Sequence, residues 1–111
     1  MKNRISYTVE ARRDMDDIWD YIAYDLQNVP AAERTVGKIM DAVDQLEIFA
    51  ESGAALASVS DANSDERFLV SGSYLIFYHV NGSDVFIDRV LYGRRDYLRV
   101  LFGDSIKEKI E

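Results

Sequence analysis

The spacing of apolar positions changes several times along the chain, and each change marks an element. Ile5-Ser6-Tyr7-Thr8-Val9 alternates apolar and polar positions and is rich in β-branched residues, which predicts a short, half-buried strand. From Ala11 the apolar positions become Ala11, Met15, Ile18, Ile22 and Leu26, a spacing that lines one face of a helix, with Trp19 and Ala23 widening the stripe. Asn28-Val29-Pro30 reads as a loop leading into a second helix, with proline in the first turn, where its missing N–H costs nothing. The second stripe is Ala32, Val36, Ile39, Met40, Val43, Leu46 and Ala50, sustained for about six turns, with Ile48 and Phe49 near its end and Ser52-Gly53 as the stop signal. So short a connection makes the two helices an antiparallel hairpin. Gly37 sits inside the second helix at a cost of about 1 kcal/mol against alanine, and close packing of the first helix is the expected reason.

Residues 54–65 are small and polar and read as the one long loop. Three apolar runs follow, Arg67-Phe68-Leu69-Val70, Tyr74-Leu75-Ile76-Phe77-Tyr78-His79-Val80 and Val85-Phe86-Ile87-Asp88-Arg89-Val90-Leu91, separated by Ser71-Gly72 and Asn81-Gly82. They predict a three-stranded antiparallel meander, since Asn-Gly between apolar runs is a strong hairpin signal. A two-residue Asn81-Gly82 turn would set Phe77 opposite Phe86, Ile76 opposite Ile87, His79 opposite Asp84 and Tyr74 opposite Arg89. Unbroken apolar character along the central strand implies burial on both faces, one of them under the helix hairpin. After Gly93, the run Tyr97, Leu98, Val100, Leu101 and Phe102 reads as a short third helix or strand extension, with Ile106 and Ile110 in a tail that orders on a partner. The expected fold is α+β, in the order β-α-α-β-β-β, a sheet meander packed against an N-terminal helix hairpin.

A chain of 111 residues, 48% hydrophobic and 30% charged, has the makeup of one ordered domain, expected to span 1–111. With no cysteine and one histidine, thiolate zinc sites, cysteine nucleophiles and multi-histidine metal sites are excluded, and no cofactor or metal is expected. No apolar run is long enough for a signal peptide or a membrane helix, so a soluble, cytoplasmic protein is expected. The net charge of −7 argues against wrapping nucleic acid, and no direct DNA binding is expected of the chain alone. Residues 1–66 hold 6 basic and 14 acidic side chains, whereas residues 67–111 hold 7 and 6. In the second half Arg89, Arg94, Arg95 and Arg99 gather around the single acid Asp96. Either these arginines pair with acids on the helices, arginine being the usual partner of buried carboxylates, or they form an anion or partner site.

No phosphate loop, zincin signature or dinucleotide fingerprint is present. His79 is expected to make a simple cross-strand pair with Asp84 rather than to serve in a triad. Tyr74 and Tyr78 are expected to be core packing, and Tyr92 and Tyr97 less so. What remains for chemistry is guanidinium: Arg67, Arg89 and Arg95 could stabilise the charge of a phosphorane in a metal-free ribonuclease, although tyrosine alone is a poor base near neutral pH.

The order strand, helix hairpin, meander, together with Arg67-Phe68-Leu69, Tyr74-Leu75-Ile76-Phe77-Tyr78-His79-Val80 and the run from Val85 through Tyr92-Gly93-Arg94-Arg95-Asp96-Tyr97, resembles the RelE/ParE superfamily of type II toxins. Members typically read Arg-Val-Leu-His-Gly, and here Tyr92 stands where the histidine would be. Leu69 and Leu75 fall where the RNA-cleaving members tend to place lysine and arginine, leaving Arg67, Arg89 and Arg95 as the comparable groups. The ParE branch, whose members poison DNA gyrase, looks closer, sharing the Tyr-Leu-Ile-Phe-Tyr strand and the Gly-Arg-Arg-Asp ending. The resemblance implies a toxin that plasmid-stabilisation systems carry, with Arg94, Arg95, Tyr97 and Arg99 on the target. It also implies an antitoxin whose helical tail wraps the apolar surface, with Phe102, Ile106 and Ile110 as its interface. The alternatives it leaves are a ribosome-dependent mRNA endonuclease and a decayed toxin serving only as an antitoxin-binding co-repressor.

Overall fold

The computed structural model describes residues 2–55 and 66–93. Strand β1 (Arg4–Tyr7) gives way at Thr8, whose side chain accepts a hydrogen bond from the Ala11 amide at 3.1 Å and so caps helix α1 (Val9–Asp20). The alternating pattern assigns Val9 to the strand, yet it is the first helical residue, because the threonine hydroxyl supplies an acceptor that the first helical turn lacks. Helix α1 runs on into a π-helical turn, Tyr21–Asp25, and Gln27 then adopts a left-handed φ of 51° that turns the chain back. Asn28 accepts from the Ala31 amide at 3.1 Å and opens helix α2 (Val29–Asp44), which tightens into a 3-10 turn at Gln45–Glu47. Carbonyls left over at that end are met by Asn3, which donates to Glu47 from its amide at 2.7 Å and to Leu46 from its side chain at 3.0 Å.

The sheet contains β1, β2 (Ala54–Ala55), β3 (Arg67–Ser71), β4 (Tyr74–Asn81) and β5 (Asp84–Tyr92), in the spatial order β1-β5-β4-β3-β2. The α+β class and the order of elements are as expected, and the meander is extended at both edges. Strand β1 pairs parallel with β5, from Arg4 beside Asp84 to Tyr7 beside Ile87, the helices having carried the chain to β2 at the far edge and the meander having brought it back. Ala54 and Ala55, read as loop, pair with Phe68 and Arg67. Residues 56–65, and the third helix expected after Gly93, lie outside the described residues.

The hairpin register differs from expectation. Asn81 pairs with Asp84, so the turn residues are Gly82 and Ser83, and only Gly82, at φ 64°, needs positive φ. That is the glycine-first demand of a type II′ turn, and Gly72-Ser73, with Gly72 at φ 59°, repeats it between β3 and β4. Moving the turn by one residue puts His79 opposite Phe86 and not Asp84. A β-bulge then adds a second shift: Tyr78 pairs with Ile87 but Phe77 with Arg89, so Tyr74 faces Tyr92 rather than Arg89, Ile76 faces Val90 and Phe77 does not face Phe86.

The core lies between the helices and one sheet face, where Ala11, Ile18, Ile22 and Ala23 meet Ala32, Ile39, Val43 and Leu46 over Ile76, Tyr78, Val85, Ile87 and Val90. Leu75 and Phe77, at 2% and 0% exposure, are buried outside that cluster, as the unbroken apolar central strand requires. Leu26 and Met40, assigned to the core stripes by spacing, are 55% and 47% exposed. Leu26 follows the π-turn, whose wider winding rotates it off the stripe, and Met40 sits at the stripe's edge. Packing does not explain Gly37 either, since a Cβ built there meets nothing within 4 Å. Gly37→Ala is therefore expected to stabilise the protein by about 0.5–1 kcal/mol, seen as a higher Tm, because alanine reduces the entropy lost on ordering the helix without a clash.

Candidate functional site

Of the sequence-predicted cations, Arg67 and Arg89 lie among the described residues, and each is held in a separate structural tie. Arg67, at the start of β3, donates from Nη1 to the carbonyls of Gly53 at 2.9 Å and Glu51 at 3.3 Å. Its cross-strand partner Tyr78 holds the same loop from below: the buried hydroxyl donates to the Ala50 carbonyl at 2.8 Å and accepts from the Gly53 amide at 2.9 Å. Burial pushes the Tyr78 phenol above its ordinary range, against the lowering influence of the Gly53 amide and Arg67, so it stays protonated and serves as a donor. Tyr74 is likewise raised by burial, with Tyr92 and Tyr21 adding to it, and its ring meets that of Tyr92 edge-on at 5.4 Å.

Arg89 is held at the other side of β4. Beyond Tyr7, β1 no longer covers the outer edge of β5, and side chains take over its hydrogen bonds. The Thr8 hydroxyl donates to the Asp88 carbonyl at 3.0 Å, and Asp14 of α1 accepts from the Val90 amide at 2.9 Å. The same carboxylate grips the Arg89 guanidinium with both oxygens, Nε to Oδ2 at 2.8 Å and Nη2 to Oδ1 at 3.1 Å. The Asp14 hydrogen bond raises the Arg89 pKa further, more than burial lowers it. This is the pairing of an arginine with a helix acid that the charge pattern leaves open. Arg94, Arg95, Tyr97, Arg99, Phe102, Ile106 and Ile110 lie outside the described residues.

A third constellation was not visible in the sequence. The bulge turns Asp88 toward His79, so that His79 Nδ1 lies 2.6 Å from Asp88 Oδ2, and the imidazole stacks on Phe86 at 5.1 Å and 21°. Glu66 precedes β3 directly and brings Oε2 to 3.9 Å from His79 Nδ1. Burial first, then the hydrogen bond to and the charge of Asp88, push the Glu66 carboxyl up to about 8 from its ordinary 4.5. Between those two values the folded chain binds more protons than the unfolded one, so this group's contribution to stability is full below pH 4.5 and lost as pH rises through 8. With a chelator present, the Tm of the parent chain should therefore fall more between pH 5 and pH 8.5 than that of Glu66→Gln; parallel pH profiles would contradict the assignment.

Part of the described surface is apolar. A groove of about 780 Å³ runs between the helices and the β3–β4 hairpin, lined in part by Ile18, Tyr21, Leu26, Tyr74 and Tyr92, of which Tyr21, Leu26 and Tyr92 are exposed. No helix among the described residues is long and apolar enough to cross a membrane.

Comparison with known proteins adds three findings. A family model described as the ParE toxin of the type II toxin-antitoxin system, parDE, matches residues 5–97. A chain from the chromosomal ParDE system of P. aeruginosa superposes with a TM-score of 0.69 at 23% identity, covering 84% of this chain and 98% of that one. A chain of the toxin-antitoxin complex RelBE2 of Mycobacterium tuberculosis superposes at 0.60 and 18% identity, covering 83% and 99%. Among curated proteins none matches the sequence significantly.

Proposed function

We propose, for a chain that belongs to the ParE toxin family of type II toxin–antitoxin systems, that it is a growth-inhibiting toxin that poisons DNA gyrase and is neutralised by an antitoxin. The observation that carries gyrase over messenger RNA cleavage is the commitment of Arg67 and Arg89. Guanidinium groups stabilise a phosphorane when they are aimed at the phosphorus. Arg67 is spent on the carbonyls of Glu51 and Gly53, and Arg89 on Asp14 across β4 from it. The two point to different partners. Tyr74 and Tyr78, pushed up by burial, lose their protons less readily than free tyrosine and so offer still less phenolate to act as a base near neutral pH. A poison needs no such centre, only a surface for its target, for which Arg94, Arg95, Tyr97 and Arg99 are the proposed contacts.

The antitoxin reading is supported by the two superposed relatives, whose structures are of a ParDE system and of a RelBE2 complex. The groove bordered by exposed Tyr21, Leu26 and Tyr92 offers apolar side chains to a partner segment, and Phe102, Ile106 and Ile110 are proposed as further contacts.

Inducing the chain alone in bacteria and pulse-labelling DNA and protein within minutes tests the reading. DNA synthesis should stop first, and a folded Arg94→Ala/Arg95→Ala variant should lose the effect. Arrest of translation with DNA synthesis spared would assign messenger RNA cleavage instead, and growth without any arrest would remove the toxin reading.

A further inference from the structure

We propose that Glu66, His79 and Asp88 form a binding site for one divalent transition-metal ion of the zinc type. The three side chains come from three neighbouring segments of the sheet, the residue before β3, the middle of β4 and the bulge of β5. Continuing the β3–β4 register by one residue sets Glu66 opposite His79, and the extra residue of the bulge brings Asp88 to the same imidazole. Their donor atoms all lie within 4.8 Å of one another, with His79 Nδ1 at 2.6 Å from Asp88 Oδ2 and 3.9 Å from Glu66 Oε2.

Those separations suit a small ion. Zinc bonds of about 2.0–2.2 Å in tetrahedral geometry place donor atoms roughly 3.3–3.6 Å apart. Glu66 would close on the imidazole by a few tenths of an ångström, and Asp88 would retreat by under about 1 Å as its hydrogen bond is exchanged for a metal bond, movements that side-chain torsions supply without moving the strands. The site is also built rather than incidental. All three side chains are half-buried, the ring is stacked on Phe86, and a bulge is spent on aiming Asp88.

Donor chemistry selects the ion. One imidazole nitrogen with two carboxylates suits zinc, cobalt or nickel better than magnesium or calcium, which favour sets made wholly of oxygen, and offers no sulfur to copper(I). With the Glu66 proton displaced by the ion, two carboxylates beside one imidazole neutralise a divalent charge. Three protein ligands leave a fourth position for water or for a group of a partner. Once bound, the ion ties the start of β3 to β4 and to β5 at the bulge, where Asp88 departs from regular pairing. The cysteine-free, single-histidine composition excludes the common zinc sets, and this one escapes sequence reading because its ligands are spaced by strand register and a bulge.

The test uses the purified full chain, stripped with a chelator and titrated with zinc chloride by calorimetry and thermal melting, and with cobalt chloride by visible absorption. One ion should bind per chain, zinc should raise Tm, and cobalt should show the intense visible bands of a four- or five-coordinate ion. His79→Gln and Asp88→Asn should each weaken zinc binding by at least about tenfold, given that even outer-shell partners of metal ligands are worth 10–100-fold. Circular dichroism of the metal-free variants establishes that they fold, and Glu66→Gln replaces either one that does not. Absence of saturable zinc binding would overturn the proposal, and so would unchanged affinity in the folded variants. Magnesium competing equally with zinc would overturn the assignment of metal class.

Discussion

Asp14→Ala is expected to lower the free energy of unfolding by about 2–3 kcal/mol, read from urea denaturation of the full chain. The reason is the number of donors one carboxylate serves. Asp14 takes the Val90 amide and both arms of the Arg89 guanidinium, at the place where β5 has lost β1 as a neighbour. Alanine leaves a sheet-edge amide without this acceptor and a guanidinium without its counter-charge. Hydrogen bonds to charged groups contribute about 1.5–3 kcal/mol each, and the 32% side-chain exposure of Arg89 keeps the loss below the 3–5 kcal/mol of a fully buried broken pair. Asp14→Asn keeps one carbonyl acceptor for the Val90 amide and should fall between the parent and alanine. In an Asp14→Ala/Arg89→Ala double variant the losses should be less than additive, because the stranded charge is gone. A loss under about 1 kcal/mol for Asp14→Ala would place the tie among surface pairs of little consequence.

Gly53→Ala should be comparably damaging, at about 2–3 kcal/mol, although it adds one methyl group. A Cβ at Gly53 falls 2.5 Å from the Tyr78 hydroxyl and 2.8 Å from both Tyr78 Cε1 and the Phe68 carbonyl oxygen. None of these is a flexible tip, since Phe68 contributes backbone in a strand and Tyr78 is fully buried and bonded to Ala50 and Gly53. The loop must move, and Arg67 then loses its acceptor at Gly53. Tyr78→Phe removes the atom in closest conflict, so in the Gly53→Ala/Tyr78→Phe double variant the two losses should be less than additive. Full additivity would mean that the loop relaxes away from Tyr78 without resistance. Gly37→Ala supplies the opposite sign in the same protein, because its Cβ meets open space.

Much of the frame is legible in the chain. Helical spacing located both helices and most of their buried positions, from Ala11 and Ile18 to Ile39, Val43 and Leu46, and the glycine-marked turns located the meander. What escaped depends on interactions that a local pattern does not encode. Asn-Gly is a good turn signal, but Gly-Ser met the same demand one position later, and a one-residue offset changes every cross-strand partner. The bulge at Asp88 has no composition signature, yet it decides that Asp88 meets His79 and that Arg89 reaches Asp14. The candidate cluster of Glu66, His79 and Asp88 is hidden for that reason, whereas Arg67 is visible as a residue but not as a tie, and the pairing of Arg89 with a helix acid stands in the sequence as one of two alternatives. Strand β1 is legible as a strand, but its parallel place beside β5 is set by the whole path through the helices and the meander.

These ties bear on the proposed function because they engage Arg67 Nη1 and Arg89 Nε and Nη2 within the fold, each with a different partner. The most direct measurement is on purified DNA gyrase acting on plasmid DNA with ATP, with and without the purified chain. Gyrase poisoning predicts that the chain halts supercoiling and that detergent and protease treatment then releases broken plasmid from gyrase–DNA complexes, with Arg94→Ala/Arg95→Ala inactive in both respects. Unimpaired supercoiling and intact plasmid, with messenger RNA cut when the same chain is added to translating ribosomes, would contradict it.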